Sequence, residues 1–161
     1  LGHLYLLQKN PDAALTMLLA GSQRVDLLLS QPGSDEERLH LQLGKAVMGK
    51  NLGWAYLDKA LPRAALTTLD QALADLQALR GTFLQQGQSV DIYLAEVHRL
   101  KALASAALGQ QEDARQSWQD SLGHALAISE SPLCTVTASR PPAYCLDALR
   151  WIAEAREVLG E

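Results

Sequence analysis

Aromatic residues are scarce in this chain. They make up 5% of its 161 residues, with a single phenylalanine, so a core has to be built from leucine, alanine and valine. Proline is also thin, at 6 residues, and turn signals stand far apart, which favours long helices over strands. No stretch alternates convincingly at period two, so no strand is predicted. No apolar run approaches the roughly 18–20 residues that a membrane-spanning helix needs, and the longest, at residues 15–20, is amphipathic. A basic excess is missing too: the net charge of −4 argues against a general nucleic-acid surface. Cysteine is limited to Cys134 and Cys145, 11 residues apart across a Pro-rich stretch. One disulfide is open to them, but the expectation is two free buried thiols in a cytoplasmic protein.

The motifs of catalysis are lacking as well. There is no Gly-rich phosphate loop, no G-x-S-x-G elbow and no CxxC pair. His3, His40, His98 and His124 have no second His or Cys at metal-ligand spacing, so they read as surface or groove histidines. Glu36-Glu37 and Glu112-Asp113 fall at helix starts, where the helix dipole accounts for them. No enzymatic activity, metal or cofactor is expected.

What the chain does contain is repetition. Residues 1–21 and 52–73 match at a shift of 51: Leu1/Leu52, Gly2/Gly53, Tyr5/Tyr56, Leu6/Leu57, Pro11/Pro62, Ala13/Ala64, Ala14/Ala65, Leu15/Leu66, Thr16/Thr67 and Leu18/Leu69. A weaker copy at residues 101–122 puts Ala102 in the Gly53 slot, Gly109 for Ala60, Ala114 for Ala65 and Trp118 for Leu69. A fourth begins with Ala153 and Gly160, so equivalent positions run 9, 60, 109, 160, in steps of 51, 49 and 51. A period in this range marks a repeat array, in which each unit buries its apolar side against its neighbours.

Helix signals punctuate the repeats. Residues 1–8 read as the end of one helix, and Asn10-Pro11-Asp12 starts a second, running to about Ser30. Ser34 with Glu37 forms a capping box for a third, to about Lys59, with Leu39, Leu43, Ala46, Val47, Tyr56 and Ala60 on its buried side. Pro62 opens a fourth, ended by Gly81 or Gly87; Ser89 or Asp91 caps a fifth, to the turn at Gly109; a sixth begins near Gln111. After a Ser-, Thr- and Pro-rich gap at residues 129–141, a linker or a binding loop, Pro142 starts a seventh with Leu146, Leu149, Ile152, Ala153 and Leu159 inward. The fold class expected is all-α.

Leu52, Gly53, Tyr56, Ala60, Ala65, Leu69 and Ala72 together resemble the tetratricopeptide repeat, a helix-turn-helix unit with small residues at the helix crossing. The likeness is strong in the first two units and loose in the last two. The family period is about 34 residues, so this chain resembles a long-helix variant, with roughly two extra turns per helix; Gln77 also stands where the family has a proline. The resemblance implies antiparallel helix pairs stacked as an α-solenoid of about seven helices. Its units would be 1–33 (partial), 34–87, 88–130 and 131–161 (a first helix only). The chain opens and stops inside this pattern, so a piece of a longer polypeptide is the expectation, and its uncapped apolar ends leave self-association open.

In that family the first helix of each unit lines a concave groove. Carried across, the groove residues are His3; Lys50, Trp54 and Asp58; Glu96, Arg99 and Leu103; and Asp147, Arg150 and Glu154. Trp54 is either a groove anchor or a core residue of the longer helices, whereas Trp118 and Trp151 follow the core pattern. Mixed charge argues against a trap for a peptide of one sign. Lys50 and Asn51 match a carboxylate-gripping subclass, but His3 and Trp54 stand where that grip has asparagine. The function expected is a non-catalytic scaffold that binds a peptide or helix of a protein partner, with no nucleic-acid or membrane partner. The alternatives are a regulatory sensor region of a larger kinase, protease or transcription activator, and a plain spacer.

Overall fold

The computed structural model describes residues 2–86, 89–131, 134 and 142–161. Among them the chain is all-α, with seven helices and no strand: α1 (Gly2–Leu7), α2 (Pro11–Leu29), α3 (Asp35–Asp58), α4 (Pro62–Gln85), α5 (Asp91–Ala107), α6 (Gln111–Ser129) and α7 (Ala143–Leu159). No helix among the described residues is long and apolar enough to cross a membrane. Most of the 129–141 connection and Gly87 lie outside the described residues.

Local chemistry sets the helix starts. The Asn10 side chain accepts a hydrogen bond from the Ala13 N–H at 3.2 Å, and Pro11 fills the first position of α2. At α3 the capping box closes both ways: Ser34 Oγ accepts from the Glu37 N–H, and the Glu37 carboxylate accepts from the Ser34 N–H at 2.9 Å. That backbone bond, with the Ser34 hydroxyl, holds the Glu37 carboxyl below its usual range. At α5 the cap position is Val90, not Ser89 or Asp91. Ser89 Oγ instead accepts from the Asp91 N–H and donates to the Asp91 carboxylate, which draws Asp91 into the first turn and buries it. Gly81 does not end α4, because buried Leu79 and Phe83 on either side anchor the helix through it.

Lys9, Ala60, Gly109 and Gly160 all have left-handed backbone, with φ of 56°, 55°, 77° and 75°. These are the four equivalent repeat positions, and each follows the end of a helix. Ala60 is therefore exposed in a turn and not on the buried side of α3. Among the residues aligned with one another in sequence, Ala14, Ala65 and Ala114 are buried, as are Leu18, Leu69 and Trp118.

Each helix packs on the helices before and after it in the chain, and α1, α3, α5 and α7 also touch in succession. Three apolar clusters result: one around Leu6, Leu18 and Ala55, one around Leu69, Leu76, Phe83 and Leu94, and one around Trp118, Ala148 and Trp151. Trp118 and Trp151 are core residues. The last helix departs from expectation. Its buried residues are Cys145, Ala148, Trp151, Ile152 and Ala155, whereas Leu146 and Leu149 are 54% and 56% exposed and Ala153 is exposed. Among the described residues helix α7 packs chiefly on α5 and α6, so these helices draw on one apolar face of it.

Cys134 and Cys145 are bonded to each other, which corrects the expectation of free thiols. The packing of α6 on α7 brings their Cα atoms to 5.7 Å, within disulfide range, a distance that sequence spacing does not fix.

Candidate functional site

The row of α1, α3, α5 and α7 encloses a cleft of about 560 Å³. Helix α3 contributes Val47, Lys50, Asn51 and Trp54, spaced so that all four share one helical face. Ile92, Tyr93 and Glu96 come from α5, and Asp147, Arg150 and Trp151 from α7. His3 and Leu7 of α1 close the cleft, with the His3 ring edge-on to Trp54 at 5.7 Å between centroids.

Of the ten residues expected to face a groove, His3, Lys50, Trp54, Glu96, Asp147 and Arg150 line this cleft, whereas Asp58, Arg99, Leu103 and Glu154 do not. Asp58 and Leu103 are exposed elsewhere on their helices. Arg99 is held by Glu154, its Nε and Nη2 donating to the carboxylate at 2.6 and 2.9 Å, a two-pronged link between α5 and α7. A second link ties α3 to α5: Lys50, only 4% exposed, donates from Nζ to Glu96 at 2.5 Å. Four of the charges assigned to a partner thus satisfy one another. Asp147 and Arg150 form no ion pair among the described residues.

Trp54 is half-buried: it packs against two of the apolar clusters and also lines the cleft, so anchor and core roles meet in one side chain. Two buried polar atoms of cleft residues, Asn51 Oδ1 and Trp151 Nε1, have no hydrogen-bond partner among the described residues. Such atoms cost about 1–3 kcal/mol each. Asn51 was legible as a cleft residue, one position beyond Lys50 and one turn before Trp54. Ile92 and Tyr93 were not, because their exposure depends on how α5 is rotated against its neighbours.

A second polar cluster lies between α5 and α6. His98, 7% exposed, stacks on His124 with ring centroids 5.6 Å apart, so it is a buried histidine and not a surface or groove one. Asp91 Oδ1 lies 2.9 Å from His124 Nδ1 and 3.1 Å from Arg80 Nη2. Burial pushes the Asp91 carboxyl upward, but Ser89, His124 and Arg80 outweigh it and leave the group below its usual range. Burial lowers His98 to about 4; nearby Asp120 opposes that, while His124 and Lys101 add to it. The Asp91–His124 pair orients an imidazole as an acid-base dyad would. A shallow cavity beside it is lined by Gln77, Arg80, Gln119 and Asp120, with no serine or cysteine nucleophile among its described residues. No group of three or more His, Cys, Asp or Glu among the described residues could hold a metal ion.

No protein-family model, curated protein or solved structure matches the chain.

Proposed function

We propose that this chain is a non-catalytic interaction scaffold, a tetratricopeptide-like α-solenoid of long helices that binds a protein partner in the cleft. The observation that carries the reading is the cleft itself. Helices α1, α3, α5 and α7 all contribute to its lining, with half-buried Trp54 among the lining residues. A large amphipathic side chain at such a position is the kind that dominates binding energy. The recurrence of left-handed turns at 9, 60, 109 and 160 supports the repeat reading.

The cleft volume favours a second reading, a regulatory sensor region whose array responds to a small ligand, since about 300–1,000 Å³ is the range of small-molecule sites. The disulfide points to an oxidising compartment and removes the support that free thiols gave to a cytoplasmic one.

The test compares the chain with Trp54→Ala, checking helicity by circular dichroism and mapping crosslinks to captured proteins by mass spectrometry. The scaffold reading expects crosslinks at the cleft that vanish in a folded variant. A folded variant that keeps its partner, with crosslinks elsewhere, removes the cleft from consideration.

A further inference from the structure

The small-ligand reading of the cleft leaves the chemistry of the ligand open. Resting on that reading, we infer that the cleft takes a small zwitterion, an alkylated ammonium joined by a short chain to a carboxylate. The ammonium sits among the aromatic rings beside Asp147, and the carboxylate sits on Arg150.

Aromatic content sets the cleft apart from the rest of the chain. The protein has only three tryptophans, four tyrosines and one phenylalanine. Three of these, Trp54, Tyr93 and Trp151, line this one cleft, and the His3 ring stands edge-on to Trp54. Each of α1, α3, α5 and α7 thus supplies one ring. Trp54, Tyr93 and Trp151 also pack within or against the apolar clusters, so the core holds them in place. An aromatic face carries partial negative charge and attracts a cation. An alkylated ammonium suits such a lining best, because its methyl groups pack on the rings as apolar surface while its charge meets their faces.

Charge fixes the other end of the ligand. Four charged side chains line the cleft, and two of them, Lys50 and Glu96, satisfy each other at 2.5 Å. One anion, Asp147, and one cation, Arg150, are left without an ion pair among the described residues. A simple cation gains from Asp147 and is repelled by Arg150, and a simple anion meets the reverse. A zwitterion gains from both. Asp147 stands four positions before Trp151, so the carboxylate and the ring are neighbours on one face of α7. Arg150 follows Asp147 by three positions, a rise of about 4.5 Å along the helix. Three methylene groups between ammonium and carboxylate span such a distance. The cavity of about 560 Å³ has room for a molecule of this size.

The test titrates the intact chain with γ-trimethylammoniobutyrate by isothermal calorimetry. Two further probes each lack one charge: the analogue with tert-butyl in place of trimethylammonium, and tetramethylammonium. We expect the zwitterion to bind with a dissociation constant of about one millimolar or tighter, and the other two to bind about tenfold more weakly. Asp147 is half-buried and Arg150 exposed, so substitutions there leave the core intact. Asp147→Asn should weaken the zwitterion about tenfold and leave the tert-butyl analogue nearly unchanged. Arg150→Gln should weaken the zwitterion by about as much without weakening tetramethylammonium. A tert-butyl analogue that binds as well as the zwitterion, or a zwitterion indifferent to both substitutions, overturns the inference. If that same ligand is lost in a folded Trp54→Ala, the cleft still takes a small molecule and the small-ligand reading stands. If none of the three probes binds, the inference falls. The small-ligand reading falls with it only if a fragment library screened by NMR also yields no ligand that Trp54→Ala loses.

Discussion

Gly53 of α3 lies against the Leu69 side chain of α4 so closely that no β-carbon fits between them. The same contact recurs at the aligned positions near the start of the chain, where a β-carbon on Gly2 would meet Leu18 Cγ at 2.6 Å. Farther along the chain, Ala102 and Trp118 share a cluster, again 16 positions apart. Small against large at such a crossing sets how near two packed helices come.

Gly53→Ala should therefore destabilise the fold by about 1–3 kcal/mol through overpacking, despite the better helix propensity of alanine. Gly44→Ala is the control, since a β-carbon there meets nothing within 4 Å. It should stabilise by about 0.5–1 kcal/mol. Urea unfolding of both variants checks the difference in sign, and Gly53→Ala/Leu69→Ala should cost less than the two changes added separately.

Lys50 and Glu96 are both largely shielded from water, so removing one strands the other. Lys50→Met should cost about 3 kcal/mol. Replacing both, as Lys50→Met/Glu96→Leu, should return most of that stability, because no uncompensated charge remains. Chemical denaturation of the three proteins at neutral pH separates a buried pair from two independent contributions.

His98 makes the fold sensitive to acid. Its folded value of about 4 lies below the ordinary 6.5, so between these pH values the unfolded chain binds a proton that the folded chain does not. Stability is accordingly full above about pH 6.5 and falls as the pH drops toward 4, by roughly 2–3 kcal/mol over that window. In His98→Phe this part of the slope should disappear. Unfolding curves collected from pH 7 to 4 for both proteins provide the comparison.

The Cys134–Cys145 bond closes a short loop between the end of α6 and the first turn of α7. Reduction should lower stability by roughly 2–3 kcal/mol, the entropy that a loop of this length returns to the unfolded chain. Peptide mapping without reductant should recover the two cysteines in one linked fragment. Two separately alkylated cysteines in untreated protein would remove the bond from the native state.

Much of this fold is local in origin and was legible for that reason. The capping box of Ser34 and Glu37, the prolines that open α2 and α4, and the turns at 9, 60, 109 and 160 depend on residues a few positions apart. Helical spacing also placed Lys50 and Trp54 on one face, and the cleft received them.

What the sequence determined by itself was the set of helices and their recurrence, because capping, turn backbone and apolar periodicity are read within one or two turns. Tertiary structure alone decided that His98 stacks on His124, that Cys134 meets Cys145, that Lys50 pairs with Glu96, and that α7 turns Leu146 and Leu149 to solvent. Each of these depends on the rotation and neighbours of a helix within the assembly. A rotation of some tens of degrees leaves the spacing pattern intact and exchanges one set of contacts for another.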